Sequence, residues 1–276
     1  MFQLIIVPLD GSEEATLATG PAYVLARRLG VPVRVLALSK AHEDPTEIHD
    51  ALVAQLGPTG DLPRVIDVVP IRRSVAEDIR ELAAQNASAL IVMASHGHGR
   101  LAAVVGSVAN DILAHAEQAV LLVGPASIPG RFRTDGPALV CVFGDDDRML
   151  LDTTAEFLHE TDFDPVVMHV TSPGSAHLLD LAHRQPGGSD VPMESLTAQH
   201  AAHDLEGSTD RVAIDFDVYH AKNPALAIVE QASTRRAGVI VMATHARHGL
   251  DRLTHGSVTA EVVREAPCPV LVIGLG

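Results

Sequence analysis

Four histidines, three adjacent aspartates and two Gly-Ser steps are the residues of this chain whose type and spacing suggest chemistry. His96 and His98 are spaced His-x-His, and His245 and His248 His-x-x-His. Such pairs ligate a metal when a third ligand of suitable geometry joins them. None is recognisable here, so metal ligation is not the favoured reading. Asp145-Asp146-Asp147 suit a cation, but acids are equally at home in a solvated turn that opens a helix. The signatures of committed catalysis are missing: there is no Gly-x-x-x-x-Gly-Lys-Ser/Thr loop, no Gly-x-Ser-x-Gly elbow and no His-Glu-x-x-His. The only lysines, Lys40 and Lys222, stand away from the Gly-Ser steps. Those steps, Gly106-Ser107 and Gly256-Ser257, each precede apolar residues at helical spacing, so each serine reads as a helix N-cap. Asp10-Gly11-Ser12 reads as another helix start, with Asp or Ser as the cap. A helix N-terminus is a place where an anion can be held by backbone N–H groups.

The elements that must position these residues occur twice. Ala89–Gly97 (Ala-Leu-Ile-Val-Met-Ala-Ser-His-Gly) recurs as Gly238–Ala246 at an offset of 149 residues. Gly106-Ser107-Val108 recurs as Gly256-Ser257-Val258, and Val120–Gly124 as Val270–Gly274, at an offset of 150. One residue is therefore missing from the first copy between Gly97 and Gly106. Each copy alternates strand and helix. The strand runs are Leu4–Leu9, Val33–Leu38, Val65–Val69, Leu90–Ala94 and Val120–Val123, then Leu139–Phe143, Val166–Val170, Phe216–Tyr219, Val239–Ala243 and Val270–Ile273. They are short, continuous and β-branched, as parallel strands covered on both faces should be. Val75, Ile79, Leu82 and Ala83 share one helix face, as do Ala225, Ile228, Val229 and Ala232. Val108, Ile112 and Ala116 do so again, matched by Val258, Val262 and Ala266. Asn223-Pro224 should cap and start a helix, and Gly20-Pro21 should kink the first one. The connection Ser39–Pro63 is compact. Its counterpart Thr171–Ile214 is longer, with a helix expected near Met193–Leu205 and a loose loop around Gln185–Asp190. The segment Pro125–Gly136 has no periodicity, which divides the chain into domains at 1–125 and 137–276 joined by a linker at 126–136.

Composition narrows the class. The chain is 47% hydrophobic but only 3% aromatic, without Trp, so its cores must be aliphatic. A net charge of -15 opposes nucleic-acid binding, and Arg72-Arg73 and Arg235-Arg236 are isolated pairs rather than a basic stripe. It leaves room for one small nucleotide. Cys141 and Cys268 sit in strand-like settings and read as buried small hydrophobes, which fits a reducing compartment. No apolar run approaches membrane-spanning length and Met1–Leu9 has no signal-peptide character, so a cytoplasmic protein without membrane contact is expected. His177, His183, His200 and His203 read as solvated surface.

Val7-Pro8-Leu9-Asp10-Gly11-Ser12, Met93-Ala94-Ser95-His96-Gly97 with Gly106-Ser107-Val108, and Met242-Ala243-Thr244-His245 with Gly256-Ser257-Val258 together resemble the universal stress protein family, in tandem form. The resemblance implies α/β domains, each a doubly wound five-stranded parallel sheet in order 3-2-1-4-5 with helices on both faces. Ligands then bind at the switch point between strands one and four, outside their carboxyl ends. It implies an adenine nucleotide, ATP with or without Mg²⁺, in a stress-response role that is regulatory rather than catalytic. The implied contacts are Pro8, Leu9, Asp10, Gly11 and Ser12 at the nucleoside end, with Gly97, Gly106, Ser107 and Val108 at the phosphates. In the second copy they are Gly256 and Ser257. The motif departs from the family's Gly-x-x-Gly, nine residues, Gly-Ser pattern: copy one has Ala94 and only eight residues between Gly97 and Gly106, and copy two has Ala243 and Ala246. Copy two also has Phe143-Gly144-Asp145 near the end of its first strand in place of Pro-Leu-Asp. Nucleotide is therefore expected mainly in domain 1. Two alternatives stay open: an interaction module of the same fold without nucleotide, and a weak ATPase. The two domains should pair through their fifth strands as an internal pseudo-dimer, which leaves room for a homodimer of the chain. Cys141 and Cys268, on strands one and five with strand four between, lie too far apart for a disulfide.

Overall fold

The computed structural model describes residues 2–96, 105–115, 118–130, 132–143, 148–171, 193–211, 213–245 and 258–275. Copy one runs β1 (Leu4–Pro8), α1 (Glu13–Thr16), α2 (Thr19–Leu29), β2 (Val33–Ser39), α3 (Pro45–Leu56), β3 (Arg64–Pro70), α4 (Val75–Ala84), β4 (Ala89–Ala94), α5 (Ser107–His115) and β5 (Val120–Val123). Copy two runs β6 (Pro137–Val142), α6 (Arg148–Glu160), β7 (Asp164–Thr171), α7 (Met193–Ser208), β8 (Asp215–His220), α8 (Pro224–Thr234), β9 (Val239–His245), α9 (Val258–Glu265) and β10 (Val270–Leu275).

Strands within each copy are parallel, in order β3-β2-β1-β4-β5 and β8-β7-β6-β9-β10. This is the 3-2-1-4-5 order, with the order reversing between β1 and β2 on one side and β4 on the other. The fifth strands join the copies: β5 and β10 pair antiparallel, with Leu121 opposite Leu271, so one sheet of ten strands crosses the molecule. The apolar strand runs are buried on both faces, as their sequence implies. Ile5 and Val7 of β1 enter one core with Leu25, Leu52, Phe157 and Ala198, while Ile6 enters the other with Ile79, Ile112, Ile228 and Val262. Each core draws residues from both copies.

Local chemistry explains several helix starts. Asn223 accepts the Leu226 N–H at 3.1 Å, with Pro224 next in line, and Ser74 accepts the Glu77 N–H at 3.2 Å. The expected kink at Gly20-Pro21 is placed earlier, at a turn through Leu17-Ala18 that separates α1 from α2 while both residues keep right-handed helical dihedrals. Gly20 and Pro21 fall in the first turn of α2, where the missing proline N–H has no carbonyl to satisfy. Helix α7 runs to Ser208, three residues past the expected Leu205. The loop expected around 185–190 lies outside the described residues.

Candidate functional site

Strands β1 and β4 are direct neighbours, Ile6 opposite Ile91, so the segments that leave their carboxyl ends share one crevice. After β1 the chain turns through Gly11, at φ +80, a left-handed conformation that favours glycine, with open space around its Cα. Asp10 orders this turn. Its Oδ1 accepts the Ser12 N–H at 3.0 Å and the Ser12 hydroxyl at 2.5 Å. The Ser12 Oγ in turn accepts the Ala15 N–H at 3.1 Å, so Ser12 is the cap of α1 and Asp10 braces the cap. Ser12 is buried and Asp10 and Gly11 are exposed at the surface. A carboxylate offers about four acceptor sites, and Asp10 presents its own at the surface. Pro8 is half-buried beside it and Leu9 is core.

After β4, Ser95 is fully buried and its hydroxyl meets His96 Nδ1 at 2.7 Å. Its carbonyl accepts the Gly106 N–H at 2.7 Å, which closes the loop against the strand end. The Gly106 carbonyl accepts the Asn110 N–H at 2.9 Å. Gly106 therefore occupies the cap position of α5 and Ser107 is its first helical residue, one place later than the N-cap expected from sequence. The Gly106 N–H is thereby spent on Ser95 and is not offered to a phosphate. The first-turn N–H groups of Ser107, Val108 and Ala109 have no intrahelical acceptor, by the geometry of any helix start, and they carry the positive end of the helix dipole. Ser107 is exposed. Of the expected contacts, Gly97, Gly256 and Ser257 lie outside the described residues, as do Asp145–Asp147, His98 and His248.

Sheet register decides what copy two places at the Asp10 position. Ile91 and Ile240 are equivalent across the repeat. They pair with Ile6 and Leu139 respectively, which makes Ile6 and Leu139 equivalent. Counting forward four residues from each, Phe143 stands where copy one has Asp10. The same register carries over to the second strands, where Val7 pairs with Val35 and Val140 with Val167. On that register Ala37 of copy one becomes His169, whose ring is buried with Nδ1 2.9 Å from the Val142 carbonyl. A carbonyl only accepts, so Nδ1 carries the proton. Thr171, equivalent to Ser39, bonds to His220 Nδ1 at 3.1 Å. Sequence reading missed His169 because it is a lone polar residue inside an apolar strand run, and it assigned Thr171 to the connection that follows.

The cysteines are both buried and neither is in a disulfide. Burial, and secondarily the nearby Cys268 sulfur, push the Cys141 thiol pKa well above its ordinary value. No helix among the described residues is long and apolar enough to cross a membrane.

Comparison with known proteins agrees with this architecture. Universal stress protein MJ0531 of Methanocaldococcus jannaschii is 48% identical over 50 residues, a match spanning 18% of this chain and 29% of that protein. The matched stretch thus covers under a third of that relative. A universal stress protein from Archaeoglobus fulgidus superposes at a TM-score of 0.70 with 15% identity, over 99% of this chain and 98% of its own. A functionally unknown protein from Pseudomonas aeruginosa, PA1789, superposes at 0.66 with 16% identity, over 99% and 92%. At these identities the likeness to solved structures is one of fold. The model of the universal stress protein family, however, matches residues 1–124 and again 136–274, and on that ground the chain belongs to the universal stress protein family, in tandem form.

Proposed function

We propose that this chain is a stress-response protein that binds ATP in the crevice of copy one and acts through that binding rather than through catalysis. One observation carries the reading: the Asp10-Gly11-Ser12 turn and the start of α5 close the adjacent strands β1 and β4 at a point where strand order reverses. Asp10 supplies an exposed carboxylate for the nucleoside hydroxyls. Ser107, Val108 and Ala109 supply backbone N–H groups and a helix dipole for the phosphates. Mg²⁺, where present, would neutralise phosphate charge near an acidic protein. Copy two, with Phe143 in place of Asp10, lacks the nucleoside anchor. On this reading residues 1–125 form the nucleotide domain, 126–136 a linker and 137–276 a domain with little or no nucleotide affinity.

Isothermal titration of Mg-ATP into the full chain tests the proposal. Asp10→Asn keeps an acceptor for Ser12 and so keeps the α1 cap, while removing the charge. It should weaken binding about tenfold or more, as expected for a charge-assisted hydrogen bond of ~1.5–3 kcal/mol. No binding by the unmodified chain, or unchanged affinity in Asp10→Asn, sinks it. A second reading, an interaction module without nucleotide, draws on the capture of the Gly106 N–H by Ser95. Absence of heat with ATP favours that one.

A further inference from the structure

A positively charged concavity lies away from the crevice, at the amino-terminal ends of β6 and β9. Its volume is about 630 Å³, within the range of small-molecule sites. Arg133, Arg235 and Arg236 line it with Asp135 as the one acid of the lining, and with Asp217 paired to Arg235, an excess of one positive charge remains on a chain whose net charge is -15. Arg133 comes from the segment between β5 and β6, and the other two from the turn after α8, so residues about a hundred positions apart converge. We propose that these three arginines form a binding site for a di- or triphosphate group carried by a small molecule.

The donors are held but not used up. Arg133 gives Nε and one terminal nitrogen to Asp135, at 2.9 and 2.6 Å, which leaves the opposite edge of its guanidinium open. Arg235 is fixed by Asp217 and Tyr219. Arg236 makes no ion pair among the described residues, and its side chain is exposed. Its backbone is left-handed, at φ +54, just past the end of α8. Glycine or asparagine is favoured at such a place, so an unpartnered arginine there invites a functional account.

The competing negative field is muted. Three of the last four carbonyls of α8 are already bonded: Gln231 to the Arg235 N–H, Ala232 to the Ala237 N–H and Ser233 to the Arg236 N–H. Gly238 lets the segment carrying Arg133 close in, because a Cβ there would lie 2.7 Å from the Arg133 carbonyl oxygen. Copy one offers nothing similar, since its turn Gln85-Asn86-Ala87-Ser88 is uncharged. Planar guanidiniums bind phosphate oxygens in pairs, and three of them converging suit the several oxygens of a polyphosphate better than a single carboxylate.

Position adds a consequence. Because β5 and β10 run antiparallel, with Leu122 at the end of β5 opposite Val270 at the start of β10, the amino ends of β6 and β9 share a sheet edge with the carboxyl ends of β1 and β4. The arginine concavity therefore opens on the same edge as the copy-one crevice, four strand spacings or roughly 19 Å away.

The test is titration of inorganic tripolyphosphate, which has no nucleoside, into the full chain at low ionic strength. Three proteins are compared: the unmodified chain, the double variant Arg133→Gln/Arg236→Asn, and Ser107→Glu. Asparagine tolerates the left-handed turn, so the double variant removes charge without straining the backbone. Ser107→Glu repels phosphate at α5 and suits a first helical turn. The proposal expects affinity to fall about tenfold or more in the double variant, and to survive in Ser107→Glu. Unchanged affinity in the double variant overturns it, and so does a complete loss in Ser107→Glu or no binding by the unmodified chain.

Discussion

A methyl group at Gly106 would sit 3.2 Å from the Ser95 carbonyl oxygen, tighter than an ordinary contact. Gly106 is thus small because the loop must close on the end of β4, whatever binds there. Gly106→Ala should lower unfolding free energy by about 1–3 kcal/mol, the usual cost of overpacking, in urea denaturation without ligand; an unchanged midpoint would show that the loop yields. Asp10 is likewise a structural brace as well as a candidate ligand contact, which is why the asparagine variant separates the two roles where alanine does not. Cys141 illustrates the opposite case, a reactive side chain made inert. Burial first, and the neighbouring sulfur second, hold its pKa up, so the thiolate is suppressed in the native state. Native protein at pH 8 should leave Cys141 unmodified by a thiol reagent, and both cysteines should react after denaturation. Rapid native modification of Cys141 contradicts the buried placement.

At the scale of elements, the strands are legible in sequence because each is a continuous apolar run, and a sheet covered on both faces demands that pattern. The helix starts at Ser74 and Asn223 are legible because the cap residue itself carries the signal. The features hidden from sequence depend on contacts between elements. The equivalence of Phe143 and Asp10 escapes motif comparison because the repeat drifts, by 133 residues at the first strand and 149 at the fourth. Only pairing across the sheet fixes it. Ser107 passes for a cap, one position off, because Gly106 reaches back to Ser95. Arg235-Arg236 looks isolated in sequence because Arg133 meets it only through the fold. Gly124 is visible in sequence only as the end of a repeat block, with no sign of what approaches it, yet a Cβ there would lie 1.9 Å from the Val263 carbonyl oxygen of α9. That approach joins the end of β5 to the second copy, and backbone cannot step aside cheaply. Gly124→Ala should cost roughly 3 kcal/mol or more, above the usual overpacking range, whereas Gly60→Ala, with open space but φ +64, should cost about 1–2 kcal/mol. Chemical denaturation of the pair checks the ranking, and equal losses would place Gly124 outside a tight junction.

At the scale of the molecule, the two copies share more than a strand pair. Phe2 of the first packs edge-on against Phe157 of the second, which stacks on Phe163, which meets Phe132. Four of the six phenylalanines in a chain poor in aromatics therefore gather at the junction. Arg28 reaches Asp162 across the copies at 2.6 Å, though both are well exposed and such a pair adds little. Burial is what joins the halves: all four residues of β5 are buried. A separate first half, residues 1–125, would expose that apolar strand along its edge, an arrangement that templates pairing. The pairing it would choose is readable from the register. In the chain Val120, Leu121 and Leu122 face Val272, Leu271 and Val270. Two copies of β5 arranged about Leu121 would set Leu121 against itself and Val120 against Leu122, close in volume and chemistry to the native partners. The fragment should therefore form a homodimer that imitates the intact sheet, measured as twice the monomer mass by light scattering at micromolar concentration. Leu121→Lys in the fragment places like charges directly opposite each other and should shift it to monomer or to aggregate. A fragment that stays monomeric without that substitution would mean that the edge of β5 is not what holds the copies together.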